Sequence, residues 1–456
     1  MGLKSFLSFF VAFALIITAS FRATAESPGQ TFPANQSVSL DQQDKDYRGP
    51  QSPSGKEEPN GVLTLKQALA LAVLKNPDLA SYSWEIRARE ARALQAGVYP
   101  NPEMGLEIEN WGGNKDYRRL DAAETTLAIR QLIELGGKRP KKVQLATLER
   151  DLARWDYETK RLDVLSEATK AFVNVAAEQE RLTVLEELYR LAEQSRNIAA
   201  ARVQAGKVSP IDETKSSAEL AKTRIEMERA KRSLQAARKQ LSLACGLPSP
   251  SFQKVEGAFD LASSIPSVDD LAVLVYRNPD LARWPSEIEQ RKASLNLERA
   301  SRIPDPSISV GVRRFNENEV TALVAGISFP LPLFNRNSGA IAEAEYRLIK
   351  AEEEHRAARR KIQAALAETY QALSSAFTEA RILKDEVLPA LQSAYEAAQE
   401  GYRYGKFGYL DVLDAQRNFF ESKIRYVESL AAFRKAYSDV DRLTGAGPKG
   451  YGSLGE

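Results

Sequence analysis

The chain carries one long pattern twice, and that repetition limits its fold more than any other feature. Gly206-Lys207 and Gly405-Lys406 stand 199 positions apart, and each is followed by a short apolar stretch and an aspartate, Asp212 and Asp411. Asn278-Pro279-Asp280-Leu281-Ala282 repeats Asn76-Pro77-Asp78-Leu79-Ala80, and Pro304-Asp305-Pro306 repeats Pro100-Asn101-Pro102. Phe419, Tyr426, Phe433 and Val440 lie 199 residues beyond Leu220, Met227, Leu234 and Leu241. The halves also close alike, in Cys245-Gly246 and Thr444-Gly445. Punctuation and heptads that agree on one spacing mark a tandem duplication of about 200 residues.

Most of each half reads as helix. Thr64 can cap a helix that runs to Asn76-Pro77, and a second follows from about Asp78 to Gly97. The spacing predicts one helix from about Arg139 to Val203, with neither glycine nor proline from Lys141 onward. At ~1.5 Å per residue it would extend on the order of 100 Å, far beyond a typical globular helix of under about 20 residues. Gly206 allows a tight reversal, and a helix returns from Ile211 to Ala244. Thr223, Ala230, Ala237 and Ala244 keep heptad spacing beside the large residues, which implies close side-by-side helix packing. In the second half a helix runs from about Ala340 to Tyr402, with Pro389 as a local kink. Gly405 reverses it.

Each half also offers two strands. Two prolines cannot sit inside a helix and push their predecessors to extended geometry. After the first such pair, Met104, Leu106 and Ile108 alternate with Gly105, Glu107 and Glu109. Thr125 to Leu135 is the second strand, with Thr125, Leu127 and Ile129 on one face and Thr126, Ala128 and Arg130 on the other. In the second half Ser307 to Phe315 puts Ile308, Val310 and Val312 on one face, and Val320 to Leu331 is the fourth strand. On these assignments Glu107, Glu109, Arg130 and Arg313 share a polar face, and Trp111 and Phe315 are candidates for an interfacial aromatic belt.

The N-terminus gives an address. Lys4, the apolar run Phe6 to Ile17 and Ala23-Thr24-Ala25 form a secretory signal peptide over residues 1–25. Residues 26–61 read as a flexible periplasmic leader, 62–246 as the first repeat, 247–446 as the second and 447–456 as a tail. Past the signal there is no run long enough for a transmembrane helix. Strands of about 9–11 residues with one apolar and one polar face suit a membrane barrel. Four strands cannot close one, and open edges are not tolerated in lipid. Several copies must then share a barrel; three give 12 strands. The rival is a periplasmic coiled-coil protein with soluble hairpins and no pore.

Enzyme chemistry is not evident. The single histidine, His355, lies in a charged helical stretch, and Cys245 is the only cysteine, so no disulfide can form within the chain. One histidine, one cysteine and three methionines cannot build a soft-metal relay. No catalytic residue, metal ligand set or cofactor is assigned. With 63 basic and 61 acidic residues, formal net charge +2, there is no case for a nucleic-acid partner.

In its duplication, its Pro-Asn/Asp-Pro strand entries and the stretch Tyr404-Gly405-Lys406-Phe407-Gly408-Tyr409-Leu410-Asp411-Val412-Leu413-Asp414, the chain resembles the TolC family of outer-membrane channels. The likeness covers nearly all of residues 62–446. Within that family Leu63 to Ala80 is similar to the CzcC-like branch, which exports heavy-metal cations with a resistance-nodulation-division pump. The resemblance implies a mainly α fold with a small β part: antiparallel coiled-coil helices in an α-barrel, on a trimeric 12-stranded β-barrel. It implies a homotrimer in outer-membrane lipid, a periplasmic adaptor and an inner-membrane pump. It places an aperture at the helix tips, where Asp212, Tyr402, Asp411 and Asp414 would gate and Gly206, Lys207, Val208, Gly405, Lys406 and Phe407 would meet the adaptor. Phe407 stands where the family has a basic residue. Asp212 and Asp411 also fit plain helix capping. Drug efflux and type I protein secretion use the same kind of duct.

Overall fold

The structure is a computed structural model, and it describes residues 61–445 apart from Ala258. The signal peptide, nearly all of the leader and the tail 447–456 lie outside the described residues. Strand β1 (Gly61–Thr64) leads directly into helix α1 (Leu65–Lys75). Thr64 ends the one and caps the other: its hydroxyl accepts from the Gln67 N–H, while the Gln67 side chain accepts from the Thr64 N–H at 3.0 Å. Asn76 then caps α2 (Pro77–Ala96), taking the N–H groups of Asp78 and Leu79 at 2.9 and 3.2 Å.

Strands β2 (Glu103–Glu109) and β3 (Glu124–Leu132) follow, then α3 (Lys138–Gln204, 67 residues) and α4 (Pro210–Ala244, 35 residues). Strand β4 (Phe252–Glu256) opens the second half. It continues with α5 (Val268–Leu274), α6 (Pro279–Ala282), α7 (Trp284–Ser301), β5 (Ser307–Phe315), β6 (Val320–Ser328), α8 (Ser338–Ile382), α9 (Leu388–Arg403) and α10 (Tyr409–Thr444). Helices α8 and α9 are joined by a π-turn at Leu383–Val387. That turn is the form the expected kink takes. Pro389 has no N–H to give, and one residue earlier the Leu388 N–H reaches back five positions to the Leu383 carbonyl.

Strands β1 and β4 form a parallel pair that the periodicity does not announce, being only 4 and 5 residues long. They matter to the core. Leu63, Phe252 and Val255 pack with Leu241, Cys245, Leu247, Phe172 and Val175. The first repeat's core therefore includes residues from beyond position 246. The second core gathers Leu373, Phe377, Leu430, Phe433 and Val440. Leu234 and Leu241 of the first heptad row and Phe433 and Val440 of the second thus face inward, while Leu220 and Met227 are half-buried.

The ends of α4 and α10 dock on the two Asn-Pro corners. Gly246 (φ +71°) sits so close to the Lys75 carbonyl that a side chain there would collide with it. Gly445 (φ +68°) lies against Arg277 and Asn278. The Asn278 amide donates to the carbonyls of Arg442 and Leu443, each at 2.9 Å. Arg442 pairs with Asp163 on α3 at 2.8 Å and with Asp280 at 2.5 Å. The last helix is thereby tied to both repeats.

The other four strands form one antiparallel sheet in the order β2-β3-β5-β6. Strands β3 and β6 end sooner than the sequence suggests. Pro330 and Pro332 cannot supply ladder donors after Ser328. The exit from β3 is held by Lys138, whose ammonium pairs with Asp305 at 2.7 Å and donates to the Ile303 carbonyl at 2.5 Å. The other Asp305 oxygen accepts the Leu135 N–H at 2.8 Å. The corner between sheet and helices is thus an ion pair with little solvent access.

Candidate functional site: the paired helix tips and the charged sheet face

The two tips turn in the same way. Gly206 (φ +66°) follows α3 and Gly405 (φ +74°) follows α9. The Lys207 N–H returns to the Arg202 carbonyl at 2.9 Å and the Lys406 N–H to the Gly401 carbonyl at 2.8 Å. The inner bonds run from Gly206 to Val203 at 2.9 Å and from Gly405 to Tyr402 at 3.0 Å. Both are Schellman closures, which need a left-handed residue where glycine stands.

The returning helices begin differently. Ser209 caps α4, accepting the Ile211 N–H at 3.3 Å, so Asp212 sits in the first turn without being its cap. Asp411 spends one carboxylate oxygen on the Gly408 N–H at 2.8 Å. The capping role weighed for both aspartates therefore falls to Asp411 alone. Asp414 accepts from the Asn418 amide at 3.3 Å, and both Asp411 and Asp414 are exposed. Lys207 and Lys406 project into the open, and Val208 is half-buried. Phe407 folds back: its ring occupies the space a side chain at Gly401 would need.

Tyr402 is the centre of contact between the tips. The Arg202 guanidinium lies over its ring, 4.3 Å from the centroid, and donates to its carbonyl at 3.2 Å. The Tyr409 ring is 6.1 Å away. Burial, and then the nearby charges of Glu219, Tyr402 and Asp212, push the Tyr409 phenol up to about 12. Among the described residues the buried Tyr402 hydroxyl has no hydrogen-bond partner. Further along, Arg417 reaches Glu219 at 3.5 Å and Lys423 reaches Glu187 at 2.9 Å, joining α10 to α4 and α3. The sequence offers no signal for Arg202, because its partner lies in the other repeat and not at the repeat spacing.

At the sheet, register sorts the side chains. Glu107, Thr126 and Arg313 form one row, with Glu109 and Glu124 in the next. Arg313 binds Glu109 at 3.0 Å, Glu124 at 2.8 Å and the Thr126 hydroxyl at 2.9 Å. Glu107, Glu109, Arg130 and Arg313 do share a face. The opposite face exposes Met104, Leu106, Ile108, Ile308, Leu323 and Ile327. Phe315 corrects the expectation: it is paired with Glu124, on the charged face, and not with an apolar belt. Trp111 is exposed in the loop after β2.

A four-stranded antiparallel sheet with one apolar face, one charged face and two open edges, mounted on helices of up to 67 residues, defines a subunit of a barrel-forming membrane channel. Among the described residues no helix is long and apolar enough to cross a membrane. The chain belongs to the outer membrane efflux protein family, whose pattern matches residues 68–247 and 273–446. It is 35% identical over 388 residues, 85% of this chain and 91% of the relative, to the cobalt-zinc-cadmium resistance protein CzcC of Cupriavidus metallidurans. It is 25% identical over 309 residues, 68% of this chain and 69% of the relative, to the nickel-cobalt-cadmium resistance protein NccC of Alcaligenes xylosoxydans xylosoxydans. Its fold matches the crystal structure of CusC with a TM-score of 0.70 at 17% identity, covering 92% of this chain and 99% of that one. The fold is therefore that of the TolC-type outer-membrane channels, with an α-barrel of long helices below a small β part, and the chain is an outer-membrane protein.

Proposed function

We propose that three copies of this chain close one 12-stranded barrel in the outer membrane and act as a passive export duct. The carrying observation is the sheet: its edges β2 and β6 are both unpaired within the described chain, and its two faces differ as lipid and lumen differ. Residues 1–25 would direct export, 26–61 would be a leader and 447–456 a tail around the repeats 62–246 and 247–446. Cargo would arrive from an inner-membrane resistance-nodulation-division pump through a periplasmic adaptor. The names of the two relatives support divalent heavy-metal cations as that cargo.

The tips would form the periplasmic aperture. Threefold symmetry turns Asp212, Asp411 and Asp414 into rings of three carboxylates, which favour cations, and Tyr402 would hold the closed state. Gly206, Lys207, Val208, Gly405, Lys406 and Phe407 would meet the adaptor. With so few histidine, cysteine and methionine residues, metal choice falls to the pump.

Deleting the gene should sensitise cells to zinc, cobalt or cadmium, and the wild-type chain should restore tolerance. In planar bilayers the purified protein should conduct, with Asp411→Asn/Asp414→Asn lowering cation preference. Unchanged metal tolerance would remove the metal cargo and favour drug or protein export; absence of conductance in both forms would remove the duct.

A further inference from the structure

Two apolar clusters are left open at the same end of the membrane sheet. Strand β6 runs on into Phe329-Pro330-Leu331-Pro332-Leu333-Phe334, where Leu331 and Leu333 are exposed and Phe334 entirely so, at 100%. Strand β2 is entered from the end of α2, where Leu94, Val98 and Tyr99 are exposed. Large apolar side chains left exposed so close together in the chain point to a contact site.

Topology decides which contact. Each neighbouring pair in the sheet is antiparallel, so β2 and β5 run one way and β3 and β6 the other. When β6 of one copy meets β2 of the next, the pair is again antiparallel, and the end of β6 lies beside the start of β2. The two clusters then face each other. Pro100, Pro102, Pro330 and Pro332 bring no N–H groups to this stretch, so ladder bonds cannot join the copies there. Side-chain packing can. Tyr99 is already held for it, with the Arg139 guanidinium over its ring, 3.5 Å from the centroid, which lowers the entropy cost of docking on the other face.

We infer that Leu331, Leu333 and Phe334 of one copy pack on Leu94, Val98 and Tyr99 of the next, an apolar seam where strands give way to helices. The seam rests on the trimeric reading above. Its role is register. A strand edge with a two-residue period can slip by two and keep its faces, and a seam at one end allows only one alignment.

The test uses the full-length protein in outer membranes. Val98→Cys/Leu333→Cys is treated with a short bismaleimide. Cys245, the only native thiol, is buried and pushed up to about 11 by that burial, so wild-type protein gives the background. Covalent dimers and trimers are expected from the double variant and from neither single variant. Native mass of detergent-extracted wild-type protein reads the assembly separately. A trimer mass without a covalent ladder overturns the seam and leaves the duct; a monomer mass overturns both. Phe334→Asn, an exposed change that the fold of one chain should accept, is expected to lower the temperature at which the trimer dissociates. An unchanged temperature counts against the seam.

Discussion

Arg202 lies across the ring of Tyr402 and donates to the same residue's carbonyl, at 4.3 Å from the centroid and 3.2 Å from the oxygen. That carbonyl also accepts the Gly405 N–H that closes the second tip. One side chain from the first repeat therefore holds the turn of the second. Release of this clamp would free the tip of α9 from the end of α3 without unmaking either turn, while Lys423–Glu187 and Arg442–Asp163 still hold α10 on α3.

Arg202→Ala should shift the tips toward the released state. A cation–π contact contributes about 0.5–2 kcal/mol, and a hydrogen bond from a charged donor about 1.5–3 kcal/mol. Arg202 is half-exposed, so the lower ends apply, about 2 kcal/mol together, and a change in occupancy of about thirtyfold is expected. Dwell time in the high-conductance state in planar bilayers reads it. Arg202→Lys should keep part of the effect, having charge but no planar fork. Equal dwell times in wild type and Arg202→Ala would remove the clamp.

Three of the left-handed glycines at helix ends, Gly206, Gly246 and Gly405, should not respond alike to alanine. At Gly206 and Gly405 there is open space around an added Cβ, so Gly206→Ala and Gly405→Ala meet only the backbone penalty, about 1–2 kcal/mol each. At Gly246 the same change also drives a methyl into the Lys75 carbonyl, against rigid backbone. We expect the tip variants to fold with modestly lowered thermal midpoints and Gly246→Ala to be lost from the membrane. A tip variant as damaging as Gly246→Ala would contradict the geometry.

The duplication, the long helices and the four membrane strands could all be read from the chain, because each rests on a period or a proline that acts locally. The β1–β4 pair could not. Its strands are shorter than the window in which alternation is visible, and they pair over a separation of about 190 residues. The tips were legible as turns, and Asp411 as a cap follows from its place three residues after Gly408. Arg202 over Tyr402 and Lys138 with Asp305 were not, since contacts between the repeats leave no mark in either repeat's own pattern. The face of Phe315 is legible too: it stands two residues after Arg313 in one strand and so shares the charged face, which the pairing with Glu124 bears out.

Lys138 and Asp305 should behave as one unit. Both have little solvent access, and Asp305 also holds the Leu135 N–H. Lys138→Met leaves a carboxylate without its counter-charge and should cost about 3–5 kcal/mol. Lys138→Met with Asp305→Leu should recover part of that, short of what the lost Leu135 and Ile303 bonds contribute. Thermal unfolding of the four proteins closes the cycle, and additive losses would show that the pair is not coupled.

The Tyr409 phenol gives the tips an alkaline limit. Its ring is buried, and burial first, then Glu219, Tyr402 and Asp212, raise it to about 12 in the folded chain. An unfolded tyrosine titrates at about 10. The folded state therefore holds the neutral phenol more firmly, and that stability is present in full below pH about 10 and lost as pH climbs toward 12. Tyr395, Tyr426 and Tyr437 are raised as well, chiefly by burial, so the signal must come from a difference. Wild type minus Tyr409→Phe, followed by tyrosinate absorbance, should show one phenol ionising near the top of that window. The thermal midpoint of wild type should fall more steeply across it than that of Tyr409→Phe. Glu219→Gln and Asp212→Asn should each bring the ionisation down, because each removes a charge that opposes the phenolate. A difference curve centred on the ordinary tyrosine value would mean that the ring is not enclosed between the tips as described.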